Sequence, residues 1–449
     1  MSHALDDASL SSFHKRLAIF SSGGPFLDGY ILSIIGVAMV QLGPRFALSA
    51  SAEGLVGAAA LIGIFFGAYL GGRLTDRFGR HLLFTIDLIA LLGCSVAQAF
   101  VPNATWLIVL RLLIGVAIGA DYPIATSLLA EFTPRRYRGK LLGAYVTMWF
   151  VGAAAAYLVG QLLLSVDDGW RWMLASSALP ALVIILLRLG TPESPRWLMK
   201  MGRVDEANEV LAKVYGPGAT VADLADEGRT NLGVRAMFRS GYGKRMAFIS
   251  LFWTCSVAPL FAVYAFGPAI LGALHLEGEL ANIGSAVITV LFLAGCLVAV
   301  ALVDRMGRRS LIIHSFLWSG LALLALGFFP HPATGVIMVL FAAYAVLIGG
   351  TQILQWVYPN ELFPTEIRGS AVGLASSLSR IGAAIGTYLV PLALSGLGIG
   401  TTMIIAGVIT LLGMVVSIAW APETRGMTLA ESAALDTPAA APAKGKIHS

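Results

Sequence analysis

The sequence predicts an all-α membrane protein of twelve transmembrane helices in two pseudo-symmetric six-helix halves, and three observations carry that prediction. The 449 residues are 57% hydrophobic and 12% charged, against roughly 25% charged in an average soluble domain. The apolar residues gather into twelve runs of about 20, the length that crosses a bilayer. Three loop motifs recur at a nearly constant offset between the first and second halves of the chain.

The runs fall near 16–42, 53–72, 82–101, 104–129, 139–165 and 170–190, then 246–271, 280–303, 309–329, 333–358, 367–395 and 399–420. The expected units are a first half over 1–190, a polar linker over 191–245, a second half over 246–421 and a largely disordered tail over 422–449 rich in Ala and Pro. In the linker Val204, Ala207, Leu211 and Val214 recur at helical spacing, the pattern of a short amphipathic helix lying under the membrane. The N-terminus carries no cleavable signal pattern, so the first apolar run serves as the first span. Arg and Lys crowd alternate loops: Arg73, Arg77 and Arg80; Arg135, Arg136, Arg138 and Lys140; Arg305, Arg308 and Arg309; Arg368. The positive-inside rule places these loops, and with them both termini, in the cytoplasm. The net charge of +5 is thereby a topology signal and not a nucleic-acid footprint. Cys94, Cys255 and Cys296 all fall in apolar runs and outline neither disulfides nor a metal cluster. No cofactor motif is present.

The repeat is specific. GGRLTDRFGRH after span two matches ALVDRMGRRS after span eight, aligning Asp76 with Asp304. EFTPRRYRG after span four matches ELFPTEIRG after span ten, aligning Glu131 with Glu361 and Gly139 with Gly369. PESPRWL matches PETRGMTL, aligning Glu193 with Glu423. Two like-oriented halves follow, with a substrate site near the midplane between them.

Charged residues inside spans are functional candidates because the bilayer makes them costly. Asp28 lies near the middle of span one. Span four, RLLIGVAIGADYPIA, carries Arg111 and Asp121, ten residues apart, roughly 15 Å along a helix and about 80° around it. Both could border one cavity, or form a buried pair that only fixes packing. Arg111, Gly115 and Gly119 share a face on which a neighbouring backbone can approach closely. Arg380 lies halfway across span eleven, where its guanidinium fork suits a carboxylate; neutralisation by Asp28 or Asp121 is the alternative. Asp28, Asp121, Arg111 and Arg380 sum to zero charge, so an anion entering the cavity would favour protonation of one aspartate. Around them Trp149, Tyr264 and Trp356, with Gln161, Gln352 and Gln355, are candidate substrate contacts. Aromatic residues in membrane helices more often serve packing.

The paired loops, with PESPRWL and PETRG, resemble those of the major facilitator superfamily, particularly its sugar porters and its organic-ion and metabolite–proton symporters. The resemblance covers nearly the whole chain. It implies a monomeric secondary transporter in an inner membrane, working by alternating access on a small molecule. It further implies that Asp28 and Arg111 form a proton-coupling pair. Charge networks at Asp76, Arg77, Arg80, Glu131, Arg138 and Glu193, and at Asp304, Arg305, Arg308, Glu361, Arg368 and Glu423, would latch the two halves in the outward-open state. The residues of these transporters that match Arg380 favour an organic anion as substrate, an aromatic or aliphatic carboxylate moved with a proton. Span seven reads TCSVAPLFAVYAFGP, without the glutamines of sugar porters, and Ala154 occupies the place of their span-five glutamine. Sugar or polyol uptake and drug efflux by proton antiport remain the alternatives within transport. A ligand sensor and a membrane enzyme are the other classes; intact loop motifs in both halves disfavour the first, and the lack of a metal cluster or nucleophile motif disfavours the second.

Overall fold

The computed structural model describes residues 11–132, 135–188, 192–223, 234–275, 279–329, 333–427 and 429–434; within these, several side chains, among them those of 71–73, 75–78, 80, 122–131 and 135–140, lie outside the description. The elements are helical: α1 (Ser12–Arg45), α2 (Ala50–Phe78), α3 (Arg80–Gln98), α4 (Ala104–Phe132), α5 (Arg135–Leu164), α6 (Gly169–Ser176), α7 (Ala178–Arg188), α8 (Pro195–Lys200), α9 (Val204–Tyr215), α10 (Val234–Arg239), α11 (Gly243–Ala273), α12 (Glu279–Met306), α13 (Arg308–Phe328), α14 (Thr334–Leu362), α15 (Thr365–Trp420) and α16 (Leu429–Ala433). Among the described residues eleven helical stretches are long and apolar enough to span. The twelfth expected span lies inside α15. Its 56 residues would reach about 84 Å if straight, more than twice a bilayer core. It breaks at Gly398, whose φ of 77° is open to glycine at no steric penalty, and so yields spans eleven and twelve. The expected sixth span is α6 and α7 in series, interrupted at Ser177.

Membrane helices lack a hydrophobic drive toward one another and associate through close packing at small residues. α2 and α4 interlock this way: a Cβ on Gly115 would stand 2.0 Å from the Ala60 carbonyl, and one on Gly119 2.4 Å from that of Ile64. This is the close-approach face expected from the glycine spacing. The second half repeats the device between α12 and α14, where a Cβ on Gly349 would stand 2.3 Å from the Gly295 backbone. α1 and α5 are joined by Gly29 against the Trp149 carbonyl and Gly152 against that of Phe26.

The amphipathic linker helix forms as α9, with Ala207, Leu211 and Val214 buried and Val204 exposed at its first turn. Val214 joins Leu17, Phe84, Phe132 and Tyr145 in one apolar cluster, and the Tyr215 hydroxyl donates to the Phe132 carbonyl at 2.8 Å. α9 is thus fastened to the first half. α16 is fastened to the second: Arg245 of α11 donates to the carbonyls of Ser432 and Ala434, and the Ser432 hydroxyl to that of Glu361. The expected tail lies largely in 435–449, outside the described residues.

Across the interface the halves meet at the end remote from the basic loops. The Ser51 and Tyr388 hydroxyls are 3.0 Å apart, Gly54 abuts the Tyr388 carbonyl, and Gly36 abuts the carbonyls of Tyr264 and Ala265. The Tyr157 hydroxyl donates to the Tyr264 carbonyl at 2.8 Å. α11 bends there, with Phe266 non-helical two residues before Pro268; proline removes an amide donor and crowds the preceding turn.

Candidate functional site

A cavity lies between the halves, on the basic-loop side of this seal. Pro25, Tyr145, Trp149 and Phe150 line it from the first half, and Val257, Leu260, Phe261, Gln352, Gln355, Trp356 and Arg380 from the second. About 510 Å³ there, open solvent included, is unfilled by atoms. Five residues singled out in the sequence come together here: Trp149, Gln352, Gln355, Trp356 and Arg380. The Arg380 guanidinium stacks on Phe261, with Cζ 5.0 Å from the ring centroid, a contact that holds a cation within an apolar wall. Trp356 is fixed by Trp253 at 5.2 Å.

The amides form a chain. Gln355 Nε2 donates to Gln352 Oε1 at 3.1 Å, Gln352 Nε2 to Ser256 Oγ at 2.7 Å, and Ser256 pairs with Thr351. Gln355 Oε1 is buried with no hydrogen-bond partner among the described residues. Its place in the cavity wall makes it an acceptor for a donor that the protein does not supply.

A second, smaller cavity lies behind the first, lined by Gly24, Pro25, Asp28, Leu88, Leu91, Ile118 and Asp121. Both aspartates are buried, 3% and 5% exposed. Asp121 packs against Gly24, where a Cβ would stand 2.2 Å from its Oδ2. Asp28 Oδ2 accepts from Trp149 Nε1 at 2.9 Å. Pro25 and the Trp149 side chain therefore separate, and connect, the two cavities.

Arg111 corrects an expectation. It donates Nε to the Val56 carbonyl at 2.7 Å, and its two terminal nitrogens have no hydrogen-bond partner among the described residues. It lines neither cavity. Ten residues separate it from Asp121, about 15 Å along α4, and Asp28 sits at the depth of Asp121. The Asp28–Arg111 pair is thus not formed; Asp28 takes the indole N–H of Trp149 instead. Two other residues also fall outside the main cavity. Tyr264 is buried behind Trp149, ring centroids 4.8 Å apart. Gln161 lies twelve residues beyond Trp149 on α5, about 18 Å toward the seal.

Asp87, Tyr145 and Phe261 were missed. Asp87 is buried in α3, one residue from the cavity-lining Leu88, with Oδ1 accepting from the Leu88 amide. The same rule that marks any ionisable residue inside a span would have found it. Tyr145 is one helical turn before Trp149, and Phe261 shares the α11 face of Val257 and Leu260.

At the basic end the glutamates of one motif pair, Glu193 and Glu423, are helix caps. Glu423 Oε1 accepts from the Arg308 amide at 2.9 Å and Oε2 from the Arg309 amide at 3.1 Å, closing the N-terminus of α13. Glu193 Oε2 accepts from the His81 amide at 3.0 Å, closing that of α3. Each cap is approached by a glycine of positive φ, Gly307 and Gly79, where a Cβ would stand 2.6 and 2.5 Å from the carboxylate. Unsatisfied amides and the helix dipole make such termini anion sites. Arg308 also pairs with Glu361 at 3.0 Å and Asp304 at 3.1 Å, and Thr424 donates to Glu361 at 2.6 Å. These contacts of Asp304, Arg308, Glu361 and Glu423 stay within the second half. They knit its basic end; the latch expected between the halves belongs to the outward-open state, whereas here the halves meet at the opposite end. Arg305 is exposed, and Arg368 donates to the Phe363 carbonyl at 3.1 Å. The side chains of Asp76, Arg77, Arg80, Glu131 and Arg138 lie outside the described residues.

Burial alone would raise the Glu423 pKa, but the amides of Arg425, Arg308, Arg309 and Thr424 outweigh it and hold it below the usual carboxylate range. A carboxyl depressed in the folded state stabilises above its unfolded value, about 4.3, and loses that contribution as pH falls through the folded one. Glu423→Gln should therefore lower the melting temperature at pH 7 by several degrees. The gap to the parent should close in scans taken progressively below about pH 4; a gap that stays constant with pH would refute the charged cap.

Residues 17–435 match the family model for sugar (and other) transporters. The Escherichia coli (strain K12) protein YaaU is 46% identical over 433 residues, 96% of this chain and 97% of that protein. The inner membrane metabolite transport protein YgcS of the same organism is 38% identical over 95% of each chain. The arabinose-proton symporter of Bacillus subtilis (strain 168) is 28% identical over 91% of this chain and 92% of its own. Among solved structures, the xylose transporter XylE from E. coli in a partially occluded inward open conformation superposes with a TM-score of 0.80 at 24% identity, covering 93% of this chain and all of that one. With two homologous six-helix halves, a cavity between them and a family match over nearly its whole length, the chain belongs to the sugar porter family of the major facilitator superfamily, the multi-pass membrane transporters of sugars and other metabolites.

Proposed function

We propose that this protein is a proton-coupled symporter of a small organic anion, a carboxylate that also carries hydroxyl groups, and that both of its termini are cytoplasmic. The observation that carries the reading is the pairing of Arg380 with Gln355 in one cavity wall. Guanidinium offers a bidentate fork to a carboxylate, while Gln355 Oε1 needs a donor such as a hydroxyl. A hydroxy acid meets both demands. Charge supports the proton: Arg111 lines neither cavity, so the two cavities hold two carboxylates and one guanidinium. An entering anion adds negative charge, which favours protonation of Asp28 or Asp121. Relatives named for proton symport, such as the arabinose-proton symporter, lend further weight.

Neutral sugar or polyol transport is the second reading. It is favoured by the linked amides Gln352 and Gln355 and by relatives named for arabinose, myo-inositol and glucose. Both readings are separated by uptake into liposomes with an alkaline lumen, using radiolabelled gluconate, galacturonate, benzoate, nicotinate, D-xylose, D-glucose and myo-inositol. A sugar acid should accumulate, and Arg380→Ala should cut its uptake by about ten- to a hundredfold, the worth of a charge-assisted hydrogen bond. Accumulation of a neutral sugar, indifferent to Arg380→Ala, would install the second reading in its place.

A further inference from the structure

Trp149 touches all three parts a symporter must connect. Its ring lines the main cavity. It packs edge-on against Tyr264 and Phe261 of the second half, at 4.8 and 5.7 Å. Its Nε1–H donates to Asp28 Oδ2 at 2.9 Å. From this geometry we propose that Trp149 is the positioning residue of coupling: its indole N–H holds Asp28 ionised while the cavity is empty, and a substrate that displaces the ring withdraws that donor and lets Asp28 take a proton.

The inference rests on the reading of Asp28 as a proton site and deepens it. Its chemistry is simple. Indole is a donor without acceptor capacity at Nε1, so it can satisfy a carboxylate but offers nothing to the hydroxyl of a carboxylic acid. A hydrogen bond to the charged form favours that form. Removing it favours the neutral one, as an anion arriving beside Arg380 also does. Because the same ring rests on Tyr264 and Phe261, any shift of the halves also moves the donor. Substrate, proton and conformation are thereby read at one indole.

The groups around Asp28 set the background against which the donor acts. Asp121 of α4 lines the same small cavity, and Asp87 of α3 stands next to its lining residue Leu88. Tyr145 of α5 lies one turn from Trp149, and Arg380 faces the main cavity from α15. Tyr30, on the helix of Asp28, is tied to Ser176 of α6. Gly23 packs on the aliphatic Ile184 of α7, and Arg111 is engaged at Val56. Asp121 is the acidic group that shares the small cavity with Asp28, and the Trp149 N–H is the donor set against it.

The test is an infrared pH titration of the purified full chain, following the protonated-carboxyl band that Asp28→Asn removes. It needs no substrate. Trp149→Phe keeps an aromatic ring and deletes the N–H; the midpoint of the band should rise by about one pH unit, a tenfold gain in proton affinity. Trp149→Gln loses the ring but retains an N–H donor and should stay nearer the parent midpoint. An unmoved midpoint in Trp149→Phe overturns the proposal, as do equal shifts in both variants, which would assign the effect to packing. If no titrating band depends on Asp28, the proton-site reading itself falls, and this is distinct from a band whose midpoint does not respond to Trp149.

Discussion

Asp28→Asn should abolish concentrative uptake while leaving exchange intact. Asparagine has the shape and neutrality of a protonated aspartic acid and still presents an oxygen to the Trp149 N–H, so the site should hold its form. What disappears is the release and rebinding of a proton. For one proton per monovalent anion, a gradient of one pH unit sustains about tenfold accumulation; the variant should fall to no accumulation at all. Counterflow, in which external label exchanges for internal unlabelled substrate, requires no net proton movement and should persist. Both are read in the same liposomes. Continued accumulation in Asp28→Asn would move the proton to Asp121, its neighbour across the small cavity, and the same pair of measurements on Asp121→Asn would then decide.

Gly115→Leu should all but eliminate folded protein. A Cβ there would stand 2.0 Å from the Ala60 carbonyl and 2.9 Å from the Ala60 Cα, rigid backbone that no rotamer change can clear. α2 would have to move away from α4, separating the glycine-mediated contacts at Gly63, Gly67 and Gly119 as well. Overpacking a well-packed core costs about 1 to 3 kcal/mol, occasionally more, and a fixed backbone clash along a whole helix pair belongs at the upper end. Gly93, on α3, has nothing within 4 Å of its virtual Cβ. Gly93→Leu is therefore the matched control, and its thermal unfolding in detergent should follow the parent. Equal yield and melting of Gly115→Leu and the parent would show that the helix pair is looser than described.

The architecture was legible because hydrophobic length and an internal repeat are properties of the chain read along its axis. Span four illustrates how far this reaches. The spacing of Gly115 and Gly119 announced a close helix contact, and Ala60 and Ile64 supply it. The same spacing placed Arg111 and Asp121 on one helix yet could not say which neighbours each would meet. Depth decided it: Arg111 reaches the Val56 carbonyl, and Asp121 reaches Gly24 of α1. Arg380, Gln352 and Gln355 were found as polar side chains inside spans, where the bilayer makes them costly, and Trp149 and Trp356 reach the cavity although most aromatic residues in membrane helices serve packing. Gln161 met the same criterion and failed it, because its distance along α5 was not weighed. The loop glutamates were read as members of charge networks from their sequence pairing. Glu193 and Glu423 are caps in the structure, a role that depends on a backbone turn at Gly79 and Gly307 that no count of charges reveals.

The fastening of α9 to the first half and of α16 to the second has a consequence for what the covalent chain contributes. Each half carries its own appendage, so neither borrows secondary structure from the other. Mechanically the protein is a heterodimer whose subunits share one polypeptide. Because the two halves share one chain, each meets the other at an effective concentration that separate subunits would not reach. Contacts between the halves can then be individually weak and be broken at every turnover, since the partner that lets go never diffuses away.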